Sequence, residues 1–172
     1  MSKRIVFFNI GWMKDYRGLE KGDKIVGGGS YVAKTNLGHE IYNFLPIEGK
    51  MYGFVETKNY LSENGRNNLH IEKIDKQYLN MDKIEDVLVV WIATNPETKG
   101  TFVTGWYKNA TVYRSERTDI GRQYNGEKIG YFADAKEDDC VLLPVSQRTK
   151  EMHRATSKGG SMHFFCTLTD WE

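Results

Sequence analysis

Three apolar runs, separated by turn chemistry, lie between Asp86 and Arg114. Val87 to Thr94 is β-branched, aromatic and apolar on both alternate faces, the pattern of a strand covered on both sides. Asn95-Pro96, with Gly100 closing the same loop, predicts a hairpin that returns Thr101 to Tyr107 antiparallel to the first run. Asn109 offers the next turn, so Ala110 to Arg114 is expected as the third strand of a meander. Gly105, inside the second run, predicts a bend or bulge of the kind that closes a small barrel.

The same reading gives the other elements. Lys3 to Ile10 is a strand, and its Phe7-Phe8 pair implies cover on both faces; Gly11 to Tyr16 follows as a turn or short helix. Gly38 to Phe44 reads as a loop entering a strand, Lys50 to Thr57 as a strand, and Lys58 to Asn68 as a polar loop. Leu69 to Ile74 reads as a short strand and Tyr78 to Glu85 as one or two helical turns. Ile129 to Ala133, Cys140 to Leu143 and His163 to Leu168 complete the set. About ten short strands with little helix predict a β-dominated fold, all-β or α+β, built as a small barrel with a few short helices. No repeat or linker divides the 172 residues, so one domain is expected over 1–172.

Charge narrows the function classes. With 24 basic and 23 acidic side chains the net charge is +1, which excludes a strongly basic coat but leaves room for a local basic face. Such a face is expected at Ser146 to Met162, which carries Arg148, Lys150, His153, Arg154 and Lys158. Two cysteines, Cys140 and Cys166, without framework spacing indicate a reducing, cytoplasmic setting. No apolar run approaches the ~18 residues of a membrane span. The first strand leaves no room for a targeting segment.

Aromatics make up 13% of the chain, which reads either as a β-rich core or as an aromatic-lined pocket or stacking surface. Trp12, just past a strand end and near Asn9, either lines a barrel mouth or plugs it. Gly27-Gly28-Gly29-Ser30 lets backbone amides approach a phosphate or a base edge, or is a plain loop; it has neither Walker nor dinucleotide-binding spacing. His39-Glu40 lacks the second histidine of a zincin helix, and the histidines at 39, 70, 153 and 163 share no metal spacing with a cysteine. Glu137-Asp138-Asp139 is a consecutive run that a strand would split between its faces.

Five pieces in chain order carry a resemblance. They are Asn9-Ile10-Gly11-Trp12-Met13; Gly27-Gly28-Gly29-Ser30-Tyr31-Val32; Gly38-His39-Glu40 with Asn43-Phe44; the hairpin from Val90-Trp91 to Gly105-Trp106-Tyr107, with Asn109 to Arg114; and Lys158-Gly159-Gly160. Together they resemble PUA-like modules of the EVE/YTH kind. Among these the chain is most similar to the N-terminal specificity modules that precede HNH-type nucleases in bacterial modification-dependent restriction proteins.

The resemblance implies a small barrel that takes a flipped, modified nucleobase into an aromatic-walled pocket, with DNA favoured over RNA. Stacking and edge hydrogen bonds must then offset the few kcal/mol of unstacking. The expected pocket comprises Asn9, Ser30, Asn43 and His39 with Trp12, Tyr31, Trp91 or Trp106 as walls. Phosphates are expected on Gly28, Gly29, Arg148, Lys150, Arg154 and Lys158. The implied role is recognition in an anti-phage or restriction system, with no cofactor or metal and with cutting left to a nuclease domain or partner. Two other classes stay open: a small ribonuclease or base-processing hydrolase using His39-Glu40 as acid–base pair, and a sensor of a free nucleotide cradled by Gly27 to Ser30.

Overall fold

The computed structural model describes residues 4–19, 22–27, 38–57 and 68–152, together with the backbone of 154–155 and 163–164. The chain is strand-dominated, and no helix among the described residues reaches seven residues. The strands are β1 (Arg4–Ile10), β2 (Lys50–Gly53), β3 (Lys83–Thr94), β4 (Thr101–Arg117), β5 (Gln123–Tyr124), β6 (Glu127–Lys128), β7 (Tyr131–Lys136), β8 (Cys140–Leu142), β9 (Arg154–Ala155) and β10 (His163–Phe164). The main sheet is mixed and runs β1-β3-β4-β7-β2, with β8 on the upper part of β4. β1 lies parallel to β3, from Arg4↔Val87 to Ile10↔Ala93. Every other pairing in the sheet is antiparallel. Among the described residues β1 and β2, the two ends of this path, are not bonded to each other.

The central hairpin forms as its pattern demands. Asn95 turns the chain: its carboxamide oxygen accepts from the amides of Glu97 (2.8 Å) and Thr98 (3.3 Å), and its own amide donates to the Gly100 carbonyl at 2.8 Å. Gly105 is required for close packing. A Cβ there would strike the Val141 carbonyl of β8 and the Phe44 ring. Asn109 does not turn the chain. β4 runs unbroken through 17 residues, and Asn109 takes left-handed backbone (φ 48°) inside it, at a bulge. The third strand of the expected meander is therefore the far half of β4, and β7 supplies its next neighbour.

Three further segments depart from the sequence reading. The first two have no ladder partner among the described residues and form 3-10 turns, whereas the third is shortened because Lys83 finds a strand partner in Tyr113. Ile71–Lys73 is a 3-10 turn rather than a strand, with Ile74 N–H donating to Ile71 C=O at 3.0 Å and the Ile71 side chain fully buried. His39–Tyr42 is likewise a 3-10 turn. The expected helical turns before β3 shrink to Lys76–Tyr78, and β3 already begins at Lys83.

The two faces of the sheet bury unequal cores. On the inner face Phe8, Val87, Val89, Trp91, Tyr107, Val112 and Phe132 meet Met13, Tyr16, Ile41, Phe44 and Phe54 from the connecting segments. On the outer face Val90, Ile92, Val103 and Met152 form a smaller cluster, with Phe7, Leu88 and Trp106 half-buried against it. Residues 150–152 run alongside the start of β4: Val103 N–H donates to Lys150 C=O (3.0 Å), and Met152 N–H to Thr101 C=O (2.7 Å).

Candidate functional site

β1 delivers its last residues to the end of the sheet, where Gly11 and Trp12 leave the strand. Trp12 pairs there with Val26 through reciprocal backbone bonds of 2.7 and 2.9 Å. This brings the start of the glycine run beside Gly11, whose missing Cβ leaves room for Ile25 and the Gly27 carbonyl at 3.4 Å. The Asp23 carboxylate fixes the turn between them by accepting from Lys14 N–H (2.8 Å) and Asp15 N–H (2.7 Å). The Tyr16 hydroxyl donates to the Gly11 carbonyl at 2.8 Å, and the phenol is wholly buried.

Glu40 reaches the same corner from the 3-10 turn His39–Tyr42. Its carboxyl is 2% exposed, and its contact with a backbone donor is a long one, 3.5 Å from Gly11 N–H. Burial pushes this carboxyl above the ordinary range and Glu56 acts in the same sense, while its own backbone amide, the Gly11 amide and His39 oppose it. Burying an acid costs folding free energy, and such groups concentrate where a protein binds or reacts.

This gives a signed expectation. Below its ordinary value the carboxyl is protonated in both folded and unfolded chains, so burial adds no pH-dependent term. As pH rises past that value the unfolded chain ionises first and stability falls. Glu40→Gln removes that fall. The melting temperature of the variant relative to the parent should be near zero at about pH 3.5 and positive at about pH 7. A difference that stays flat across this range would refute the buried, proton-holding Glu40.

The residues singled out from sequence separate into groups. Trp12 is half-buried at the strand end, with the Arg148 guanidinium carbon 5.0 Å from its ring centre. Asn9 is exposed on β1, opposite Ile92. His39 is largely enclosed: its ring packs 4.7 Å from Phe54, and Nδ1 accepts from Gly130 N–H at 3.2 Å with a Glu116 oxygen 3.4 Å away. Ser30, Tyr31, Gly28, Gly29 and Lys158 lie outside the described residues, and of Arg154 only the backbone, in β9, is described. Lys150 is exposed beside β4.

Four expectations are corrected. Asn43 is not on a rim. It is fully buried, and its carboxamide bonds both the N–H (2.8 Å) and the C=O (3.0 Å) of Phe54, while its own carbonyl accepts from the Tyr107 hydroxyl. Trp91 is not a pocket wall, being fully buried between Phe8 and Tyr107 at ring distances of 5.4 and 5.2 Å. Trp106 cannot share a cavity with Trp12, because it sits on the outer face while Trp12 packs against the inner core. Arg148 is not a surface cation. It is 4% exposed and donates to the carbonyls of Met13 (2.6 Å), Lys14 (2.6 Å) and Leu143 (2.9 Å).

Glu40 is the residue that residue-by-residue reading undervalued. The available signal was an acid flanked by His39 and the apolar Ile41 beside a glycine. Among the described residues no three His, Cys, Asp or Glu side chains group as a metal-ligand set. No helix among them is long and apolar enough to cross a membrane. Compared with family models, curated proteins and solved structures, the chain matches none.

Proposed function

We propose that this chain is a binding module for a modified nucleobase, carried in DNA rather than RNA, and that it acts as the specificity part of a restriction or anti-phage system whose nuclease lies in another domain or partner. The observation that carries the reading is the corner where half-buried Trp12, backed by Arg148, pairs with Val26 at the start of the glycine run and follows Gly11, whose amide lies 3.5 Å from the buried Glu40 carboxyl. An indole gives a stacking surface that tolerates any base. The Glu40 carboxyl, buried behind Gly11, would accept from an exocyclic amine, or donate while protonated, once an entering base uncovers it. The amides of a glycine run suit a backbone phosphate. The resemblance to PUA-like readers of modified bases supports the same assignment.

The test is titration of the whole chain with nucleosides and short duplexes bearing methylated, hydroxymethylated or glucosylated bases, followed by calorimetry and melting temperature. A ligand at 100 times its Kd should add about 2.7 kcal/mol to stability. Trp12→Ala should weaken that binding by ~1–3 kcal/mol. Absence of binding by every modified base, or equal binding by Trp12→Ala, would overturn the reading. So would cleavage of the nucleic acid by the chain alone, if Glu40→Gln abolished it.

A further inference from the structure

Two bulges, one on each strand, flank the Val87↔Ala110 pair of the β3–β4 ladder. On β3, Glu85 and Asp86 intrude between Ile84↔Val112 and Val87↔Ala110; on β4, Lys108 and Asn109 intrude between Val87↔Ala110 and Val89↔Tyr107. Asp86 (φ 57°) and Asn109 (φ 48°) both take left-handed backbone, an uncommon state for a residue with a side chain. Each bulge places two successive side chains in solvent where the pleat would alternate them. The result is a groove of about 530 Å³ on the outer face of the sheet, with a floor of Leu88, Val90 and Trp106 and with Asp86, Lys108, Asn109 and Arg4, itself bonded to Asp75 and the Glu85 carbonyl, around it.

We propose that this groove is a second ligand site and that it takes a ribonucleoside 5′-monophosphate. Its volume lies in the range of small-molecule sites, and its make-up, an apolar floor with a few polar groups, is the usual one. The chemistry of the rim selects the class. The Trp106 indole with Leu88 and Val90 suits a planar base. The exposed Lys108 ammonium suits a phosphate as a point charge. The Asp86 carboxylate accepts only, so it suits the paired hydroxyls of a ribose, which both donate. Both charge signs on one rim match a ligand that carries an anion at one end and donors at the other. The site is separate from the Trp12 corner, because the sheet stands between them.

The experiment titrates the whole chain with AMP, dAMP and adenosine and follows calorimetry together with the Trp106 indole N–H resonance. Saturable AMP binding that shifts this resonance is expected. Adenosine, lacking the phosphate, and dAMP, lacking one hydroxyl, should each bind at least several-fold more weakly. Lys108→Glu and Asp86→Asn change exposed side chains; each should weaken AMP at least fivefold with the melting temperature kept. Trp12→Ala should leave AMP binding unchanged, which separates this site from the base-reading corner. No shift at Trp106 with AMP overturns the proposal, as does AMP binding indifferent to Lys108→Glu and Asp86→Asn. Binding of an apolar peptide in the groove, with no nucleotide bound, overturns it too.

Discussion

Trp91→Ala is expected to lower stability by ~3–5 kcal/mol, the cost of removing a large aromatic side chain from a closed core. Trp91 is fully buried, packs edge-on against Tyr107 and lies against Phe8. Such a loss is a fifth or more of the ~5–15 kcal/mol that holds a domain folded. For a chain of this length it corresponds to a fall in melting temperature of roughly 6–20 °C. Trp91→Phe should cost much less. It keeps most of the ring volume and discards an indole N–H that finds no hydrogen-bond partner among the described residues. Thermal and urea unfolding of the two variants decide the matter. An alanine variant that melted within a degree or two of the parent but lost base binding would return Trp91 to the pocket.

Arg148→Met should destabilise by a similar ~3–5 kcal/mol, through polar rather than apolar loss. The guanidinium satisfies three carbonyls at once and lies over the rings of Trp12 (5.0 Å) and Tyr16 (5.8 Å). Removing it strands those carbonyls and unties the segment around Leu143 from the one around Met13. Arg148→Lys should recover little, because a single ammonium cannot span a planar three-point fork. Nucleic-acid binding by folded Arg148→Met should keep the salt slope of the parent, whereas loss of a true phosphate contact flattens the log–log slope by about 0.9. A stable Arg148→Met with a reduced slope would make Arg148 a phosphate ligand after all.

Arg148 belongs to a set of arginines with the same employment. Arg114 donates to the carbonyls of Met81, Tyr78 and Leu79 at 2.9 Å each and to Glu72 at 2.7 Å. Arg122 donates to Leu45 (2.7 Å) and Tyr42 (3.2 Å) carbonyls and lies 5.2 Å over the Tyr42 ring. A fold of short strands and long connections leaves many carbonyls without ladder partners, and a five-donor fork satisfies several together. Basic residues in such a chain are loop clamps as readily as they are ligand contacts.

The sequence by itself determined the central pair. Two-sided apolar runs either side of Asn95-Pro96 and Gly100 allow little but a buried antiparallel hairpin, and β3 and β4 form it. It also located the strand end at Trp12 and the strands around Phe132 and Val141, because local alternation and turn chemistry act over a few residues. What had no local signature was settled by long-range packing. Asn109 suits a turn and a bulge equally, since both ask for left-handed backbone; β3 runs on past it, with Leu88 alone opposite Lys108 and Asn109, and that makes it a bulge. The breaks in alternation at Glu85-Asp86 and Lys108-Asn109 were legible, but their meeting in space was not. Trp12, Trp91 and Trp106 are chemically equivalent in the sequence. The pleat and register of one sheet placed the first at a strand end, the second in the inner core and the third on the outer face. Glu40, likewise, is an ordinary acid until a turn seats it under Gly11 and removes its water.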